Sequence, residues 1–260
     1  MHCRSLINLR QCFFEPFQCV GVNLIMKWFL SIAFLCLFNF TIHGEEPPVS
    51  DEQKQNIKPT SILLIRLYQS PNFKTMKLQQ SLLENGFAME EISYAPSADS
   101  LDRFLGHFDQ CWIVSDYVRH LDSSHIPVFM SFLQKGNALY LLADNEPYDA
   151  DVEFISKALT GAEFTGNIIA DKDGQPMMDA DLELSENLDS LYEGFTISAI
   201  SIPEAVKPQF VSSNGQVMIA SCRTSSYKIL LDGGFTRMFA KWDHNSARYF
   251  VNAANWLSSN

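Results

Sequence analysis

The sequence predicts an α/β fold in which helices cover both faces of a mostly parallel sheet. First, strand-like and helix-like segments alternate four times between residues 61 and 161, as in proteins built from right-handed βαβ units. Second, the central strand-like run at 139–143 is apolar without polar alternation, which is typical of a strand covered on both faces. Third, apolar residues recur at helical spacing near the end of the chain, at 245–257.

The predicted elements follow one another closely from residue 61 onward. In the first half, strands are expected at 61–68, 88–94, 110–115 and 139–143, and helices at 73–85, 97–104, 124–135 and 150–160. The second half is expected to hold an irregular segment at 162–186, one or two helical turns at 188–194, and strands at 196–202, 209–212, 216–223 and 228–232. Residues 224–226 form the predicted hairpin turn between the last two strands.

Helix ends and helix faces follow from local chemistry. Ser97 or Asp99 is expected to cap the second helix, and Gly161 is expected to end the fourth. Apolar residues three or four positions apart define the side that packs inward. The predicted inward residues are Phe73, Met76 and Leu83 in the first helix, Ile126, Met130 and Leu133 in the third, and Val152, Ile155 and Leu159 in the fourth.

Composition narrows the class of protein. The chain has 260 residues, 47% of them apolar, which excludes general disorder and allows one or two domains. Its formal net charge of −11 disfavours nucleic acid as a partner, because an acidic surface repels phosphate backbones.

The first 60 residues are expected to lie outside the folded domain. Residues 26–44 carry one lysine, an uncharged apolar run and a small residue at the end, the pattern of a secretory signal peptide. An uncleaved anchor is the alternative, although the run is short for a membrane span. Residues 1–25 are interpreted as an artefact of gene-start assignment, and 45–60 as a flexible lead-in. The mature protein would then be a single domain, 61–260, that is periplasmic or extracellular and has no stable membrane span.

Removal of the leader leaves two cysteines, Cys111 and Cys222. An oxidising compartment allows such residues to pair. Cys111 lies in a predicted buried strand, where a free thiol behaves as a small hydrophobic group. Two free thiols are therefore favoured over a disulfide.

Polar residues gather at the predicted carboxyl ends of the strands. In a parallel sheet these ends open onto one crevice, where ligands bind. Asp and Asn also favour turns, so each residue has a purely structural explanation, and only the set as a whole favours a crevice. The candidate crevice residues are Gln69, Asp116, Tyr117, Asp144, Asn145, Glu146, Asp232, Thr236 and Arg237.

The most distinctive stretch is 230–257. Gly233 and Gly234 follow a strand directly, which permits a close approach of backbone segments. Arg237 has two interpretations: a buried ion pair with Asp232, or a contact to a ligand carboxylate. A pair between Arg248 and Asp243 would brace the loop onto the terminal helix.

Together these features resemble a known family. The layout up to residue 161, the elbow LLADNEPY at 141–148 and the tail DGGFTRMFAKWD…ARYFVNAANWL within 232–257 are similar to the class I glutamine amidotransferase-like superfamily. The nearest group is a branch whose members occur alone or beside von Willebrand A domains. The resemblance covers about residues 61–257. It implies a flavodoxin-like three-layer sandwich with a mostly parallel central sheet and a C-terminal β-hairpin insertion.

The resemblance also identifies what is missing. Active amidotransferases carry a Cys at the elbow and a His-x-Glu pair after a late strand. In this sequence 143–145 (ADN) hold the elbow, and 232–234 (DGG) stand where the His is expected. The other candidate nucleophile, Cys111, lies in a predicted strand. The resemblance therefore implies that glutaminase activity is absent.

These observations predict an exported, non-catalytic domain that binds a ligand or a protein partner at the C-terminal edge of its sheet, without a cofactor. The alternative is a divergent hydrolase that uses Asp116, Asp144 and Glu146, with a divalent cation held by these carboxylates. A triad of Ser115, His120 and Asp144 is disfavoured, because Ser115 lacks the G-x-S-x-G setting.

Overall fold

The computed structural model of the chain describes residues 59–259. The expectations for 1–25, for 26–44 and for 45–58 fall outside the described residues. Within 59–259, no helix is both long enough and apolar enough to cross a membrane.

Eleven strands and six α-helices make up the described domain. The strands are β1 (Thr60–Arg66), β2 (Phe87–Ile92), β3 (Gln110–Val114), β4 (Ala138–Leu142), β5 (Phe164–Ile169), β6 (Asp173–Pro176), β7 (Leu191–Tyr192), β8 (Thr196–Ile200), β9 (Lys207–Val211), β10 (Val217–Arg223) and β11 (Lys228–Asp232). The helices are α1 (Met76–Glu84), α2 (Ala98–Leu105), α3 (His125–Gln134), α4 (Ala150–Thr160), α5 (Leu182–Ser185) and α6 (Ser246–Ser258), with a 3-10 turn at Phe235–Met238.

The central sheet has nine strands in the order β2-β1-β3-β4-β11-β10-β9-β6-β7. The first five are parallel to their neighbours. From β11 onward the pairing is antiparallel, beginning with the β10–β11 hairpin. The predicted mostly parallel sheet with a C-terminal hairpin is confirmed.

Helices cover both faces of this sheet. Side chains alternate along β1, so that Ile62 packs with α1 and α6 on one face, and Leu63 packs with α2, α3 and α4 on the other. Each face holds its own apolar core. This is the three-layer, flavodoxin-like sandwich that the sequence predicts.

The predicted inward face of α1 is wrong for two of its three residues, since only Phe73, just before the helix, is buried. Met76 and Leu83 are 71% and 68% exposed, whereas Leu78 and Leu82 are buried. The helix carries two apolar stripes, and spacing alone does not say which one meets the sheet. α1 begins at Met76, and the loop that joins it to β1 sets which side of the helix turns towards the sheet.

The face of α3 needs a similar correction. Leu133 is buried as predicted, but Phe129 and Phe132 accompany it, and Ile126 and Met130 are only half-buried. All of these residues are apolar, so the sequence pattern leaves the choice open. Packing of the larger rings against the sheet decides it, because they remove more apolar surface from water.

The second half contains more regular structure than predicted. Residues 162–186 are not irregular, since they form β5, β6 and α5. Residues 188–194 form β7 rather than helical turns. β5 pairs with β8, and β6 pairs with β7 and β9. β6 and β7 have only four and two residues, so they depend on distant partners and leave little periodic signal.

Cys111 and Cys222 are free and buried. They lie on β3 and β10, which are separated by β4 and β11 in the sheet. Three strand spacings amount to about 14 Å, well beyond the Cα separation that a disulfide tolerates. The expectation of free thiols is confirmed.

Candidate functional site

The parallel strands bring the candidate residues to one edge of the sheet. Their registers place Arg66, Val114, Leu142 and Asp232 in one row across β1, β3, β4 and β11. The segments that follow these positions therefore leave the sheet side by side, as predicted. At this edge the side chains fall into two groups. The inner group is bonded within the protein, and the outward-facing group reaches solvent.

A buried ion pair closes the end of β11. Arg237 and Asp232 are fully buried, and the guanidinium Nη1 donates to Asp232 Oδ1. The second carboxylate oxygen accepts hydrogen bonds from Tyr140 Oη at 2.7 Å and from Tyr249 Oη at 3.2 Å. The guanidinium also donates to the backbone carbonyls of residues 192 and 193. Arg237 is thus bonded within the protein, and the internal pair is the interpretation that the structure supports.

Burial and charge act in opposite directions on this network. Burial is the largest single effect on Arg237 and opposes its charged form, but the charge of Asp232, the two tyrosines and the hydrogen bond to Asp232 together outweigh it, and the guanidinium pKa is raised. Burial, followed by the charge of Asp232, raises the pKa of Tyr140 and Tyr249 well above that of a free phenol. Both tyrosines therefore remain protonated donors to Asp232. A structural network stands where the resemblance places a catalytic histidine.

Asp144 holds the elbow position and points inward. The side chain is 2% exposed, and its Oδ1 accepts from the backbone N–H of Asn145 at 2.8 Å and from the Thr196 hydroxyl at 2.9 Å. Its backbone carbonyl accepts from Ser198 Oγ at 2.8 Å. Burial raises the pKa of Asp144 to about 7, and hydrogen bonds from Asn145 and Thr196 offset only part of this effect.

The amino end of α4 is closed by a hydroxyl from the neighbouring strand. Ser115 Oγ accepts from the backbone N–H groups of Asp151 at 3.0 Å and Val152 at 3.4 Å. Unbonded N–H groups at such a helix start are the ones that stabilise an anion. His120 bonds Asp116 Oδ2 at 3.1 Å instead of facing Ser115. The disfavoured serine triad is therefore not assembled.

The second group of side chains faces outward. Tyr117 is 59% exposed, and its ring lies edge-on to Tyr148 with 6.0 Å between centroids. Tyr148 packs edge-on against Tyr68 at 5.5 Å. These three residues form a row, here called the aromatic row, across three strand ends. Glu146 and Gln69 are exposed beside the same edge, and Gln69 Nε2 donates to two backbone carbonyls.

The carboxylates suggested as metal ligands have separate surroundings. Asp116 bonds His120, Asp144 is held by Thr196 and Asn145, and Glu146 is exposed. Among residues 59–259, no group of three or more His, Cys, Asp or Glu side chains is arranged to hold a metal ion. The described residues therefore give the divalent-cation alternative no geometric support.

Three residues of the inner group were not predicted: Tyr140, Thr196 and Tyr249. Tyr140 could have been identified from the sequence, because it is the one residue with a polar tip in β4, and a buried tyrosine hydroxyl needs a hydrogen-bond partner. Thr196 could not have been identified in this way, since its hydroxyl bonds Asp144 from 52 positions away in the sequence. Thr236 was predicted, and its Oγ1 accepts the backbone N–H of Phe195 at 3.0 Å.

The glycine pair after β11 lies where other backbone segments pass closely. A Cβ on Gly233 would stand 2.1 Å from the Ser198 carbonyl oxygen, and one on Gly234 would stand 2.4 Å from the Glu193 carbonyl oxygen. No side chain fits at either position. The predicted close approach of backbone segments is confirmed.

We expect Gly233→Ala to lower the free energy of unfolding by about 3 kcal/mol, because the added methyl group overpacks a backbone contact. The clash would also strain the hydrogen bond from Ser198 N–H to the Gly233 carbonyl, 2.9 Å in the structure. Urea unfolding measures the change. Gly106→Ala is the matched control, since Gly106 has helical φ and its Cβ would lie 3.4 Å from the nearest atom. Equal stability of the two variants would contradict the expectation.

Comparisons with known proteins place the chain by its fold. No family model matches it, and no similar sequence is found among curated proteins. Solved structures do match. Cytoplasmic Protein STM1381 from Salmonella typhimurium LT2 has a TM-score of 0.57 at 8% identity, covering 77% of this chain and 100% of that one. Cytoplasmic Protein STM3548 from Salmonella typhimurium has a TM-score of 0.53 at 8% identity, covering 76% and 99%.

A glutamine amidotransferase from Thermotoga maritima is also among the matches, with a TM-score of 0.41 at 9% identity, covering 76% of this chain and 91% of that one. The two Salmonella structures, with TM-scores above 0.5, share the fold of this chain. At these identities the likeness concerns the fold alone.

Proposed function

We propose that this protein is a non-catalytic amidotransferase-like domain that binds a ligand or a protein partner at the C-terminal edge of its sheet. One observation carries the proposal. The elbow side chain, Asp144, is buried and bonded to Thr196 and Asn145, so it does not face the crevice. An elbow serves catalysis by presenting its central side chain to the substrate, and Asp144 is not presented in this way.

The two other positions that catalysis requires are also occupied from within. Asp232, at the position expected for histidine, is neutralised by Arg237. The amino end of α4, which would stabilise an oxyanion, is bonded by Ser115. Before these positions could supply a nucleophile, a general base and an oxyanion site, the internal bonds of Asp144, of Asp232 and of the amino end of α4 would have to break.

The outward-facing group remains free for contact. Tyr117, at the end of the aromatic row, and Val118, 48% exposed, present apolar surface beside the polar side chains of Gln69 and Glu146. Exposed aromatic surface with polar groups at its margin is characteristic of binding sites. This group favours recognition over chemistry.

Export through the 26–44 leader remains a prediction and is independent of the site. Sequencing the amino terminus of the mature protein tests it. A first residue near position 45 agrees with cleavage, and a peptide from 1–25 contradicts both the leader and the gene-start interpretation.

The absence of catalysis can be tested directly on the full chain. We expect no turnover of glutamine or of p-nitrophenyl esters and amides, either by the wild type or by Asp144→Ala. Chromogenic and ammonia-release assays report the product. Turnover that Asp144→Ala abolishes would overturn the proposal and support the hydrolase alternative.

Binding at the edge is tested with a library of small fragments followed by ligand-observed NMR. Fragments that bind the wild type are expected to weaken by about tenfold or more in Tyr117→Ala, because the outermost ring is lost. Met178→Ala, which removes a fully exposed side chain elsewhere, is the matched control. Fragments that bind equally well to Tyr117→Ala and to Glu146→Gln would place recognition away from this edge.

A further inference from the structure

A separate cavity of about 360 Å³ lies between α1 and α6. Its lining includes Ser81 and Asn85 from α1 and its end, and Trp242, Asp243 and Arg248 from the loop and first turn of α6. None of these residues belongs to the candidate crevice. Trp242, Asp243 and Arg248 belong to the distinctive stretch at 230–257 and have no role in the proposed function.

The wall of this cavity is a rigid indole. Trp242 stacks on Phe250 with 6.0 Å between ring centroids and an angle of 7° between the ring planes. Phe250 is fully buried in the core. One face of the indole is therefore fixed against the protein, which leaves a pre-ordered apolar surface at the cavity.

Two opposite charges line the same cavity without neutralising each other. The expected pair between Asp243 and Arg248 is wrong: among the ion pairs and side-chain hydrogen bonds of residues 59–259, neither residue takes part in any. Lys241 and Asn245 have φ of 44° and 65°, so the chain turns sharply on both sides of Asp243. The carboxylate and the guanidinium are both exposed and available.

The start of α6 adds positive potential on the side of Arg248. The helix has 13 residues, and its first turn receives no capping hydrogen bond from the Asn245 side chain, which donates to the Ser190 carbonyl instead. Uncapped N–H groups and the helix dipole favour a negative group there. Asp243 favours a positive group beside it.

We propose that this cavity binds a small zwitterion, namely a free α-amino acid. The ligand carboxylate lies at Arg248 and the start of α6, and the ammonium group lies at Asp243. The side chain of the ligand packs on Trp242, whose ring face also attracts a cation. A cavity of this volume suits a molecule of that size. A ligand with one charge would leave either Asp243 or Arg248 without a partner.

The test follows the Trp242 indole N–H resonance of the full chain by two-dimensional NMR, assigned with Trp242→Phe. The probes are the proteinogenic amino acids, each with its N-acetyl and carboxamide derivatives. We expect at least one amino acid to shift the resonance in a saturable manner. Each of its two derivatives should bind about tenfold more weakly or worse, because each lacks one charge.

Two variants test whether Arg248 binds the ligand carboxylate and whether Asp243 binds the ligand ammonium group. In Arg248→Gln the amino acid and its carboxamide should bind alike, and in Asp243→Asn the amino acid and its N-acetyl derivative should bind alike. Lys135→Gln and Asp102→Asn change exposed charges on other parts of the surface and should leave the dissociation constant unchanged.

Two outcomes overturn the proposal. One is the lack of any Trp242 shift with every amino acid at millimolar concentration. The other is equal binding of the amino acid and both derivatives to the wild type. Since all four substituted side chains are exposed, the variants are expected to fold, and their spectra show whether they do. The result is independent of the crevice, so failure here leaves the proposed function intact.

Discussion

Arg237→Ala is expected to lower the free energy of unfolding by about 3–5 kcal/mol. The substitution removes the only cation bonded to Asp232 among the described residues and leaves that carboxylate fully buried. Tyr140 and Tyr249 still donate to the other carboxylate oxygen, but hydrogen bonds alone do not neutralise the charge. Urea unfolding followed by near-ultraviolet circular dichroism measures the loss.

The control for this prediction is Arg103→Ala, an exposed arginine on α2, which should change stability by less than about 0.5 kcal/mol. A double variant, Asp232→Asn with Arg237→Ala, removes both charges together. It should be more stable than the sum of the single losses implies, since no unpaired charge remains. Additive losses, or a loss below about 1 kcal/mol for Arg237→Ala, would contradict a coupled buried pair.

Asp144 is expected to make stability fall as the pH rises. Burial raises its pKa from 3.8 to about 7 in the folded protein. Between these values the folded protein holds a proton that the unfolded chain releases, so protonation stabilises the fold. The stabilisation is complete below about pH 4 and is lost as the pH rises through about 7. Its upper limit is on the order of 4 kcal/mol.

Asp144→Asn isolates this contribution, because the amide keeps the shape and does not ionise. We expect the variant to gain stability relative to the wild type as the pH rises from 5 to 8, by about 2–4 kcal/mol. Asp149, Asp151 and Glu153, whose pKa values burial also raises, act in both proteins and cancel in the difference. Asp102→Asn, at an exposed position, should give a constant difference. A constant difference for Asp144→Asn would show that the carboxyl does not titrate in this range.

Much of the fold was predictable because its signals are local. The βαβ alternation, the Ser97 cap of α2 and the end of α4 at Gly161, with φ of 77°, depend on neighbours within a few residues. The segments at 162–186 and 188–194 were not predictable in this way. β5 pairs with β8, and β6 pairs with β7 and β9, so these strands depend on contacts between distant parts of the chain.

The sequence by itself determined the layered architecture, the location of the edge where ligands bind in such a sheet, and the absence of a cysteine at 143–145 and of a histidine at 232–234. Only the tertiary structure decided how the charged residues there are used. Asp144 turns inward because Thr196, 52 positions away, meets it, and Arg237 bonds Asp232 because both are sealed from water. Asp243 and Arg248, five positions apart, do not pair. Periodicity and turn chemistry are properties of neighbouring residues, whereas burial and hydrogen bonding depend on contacts that form only when the whole chain has packed.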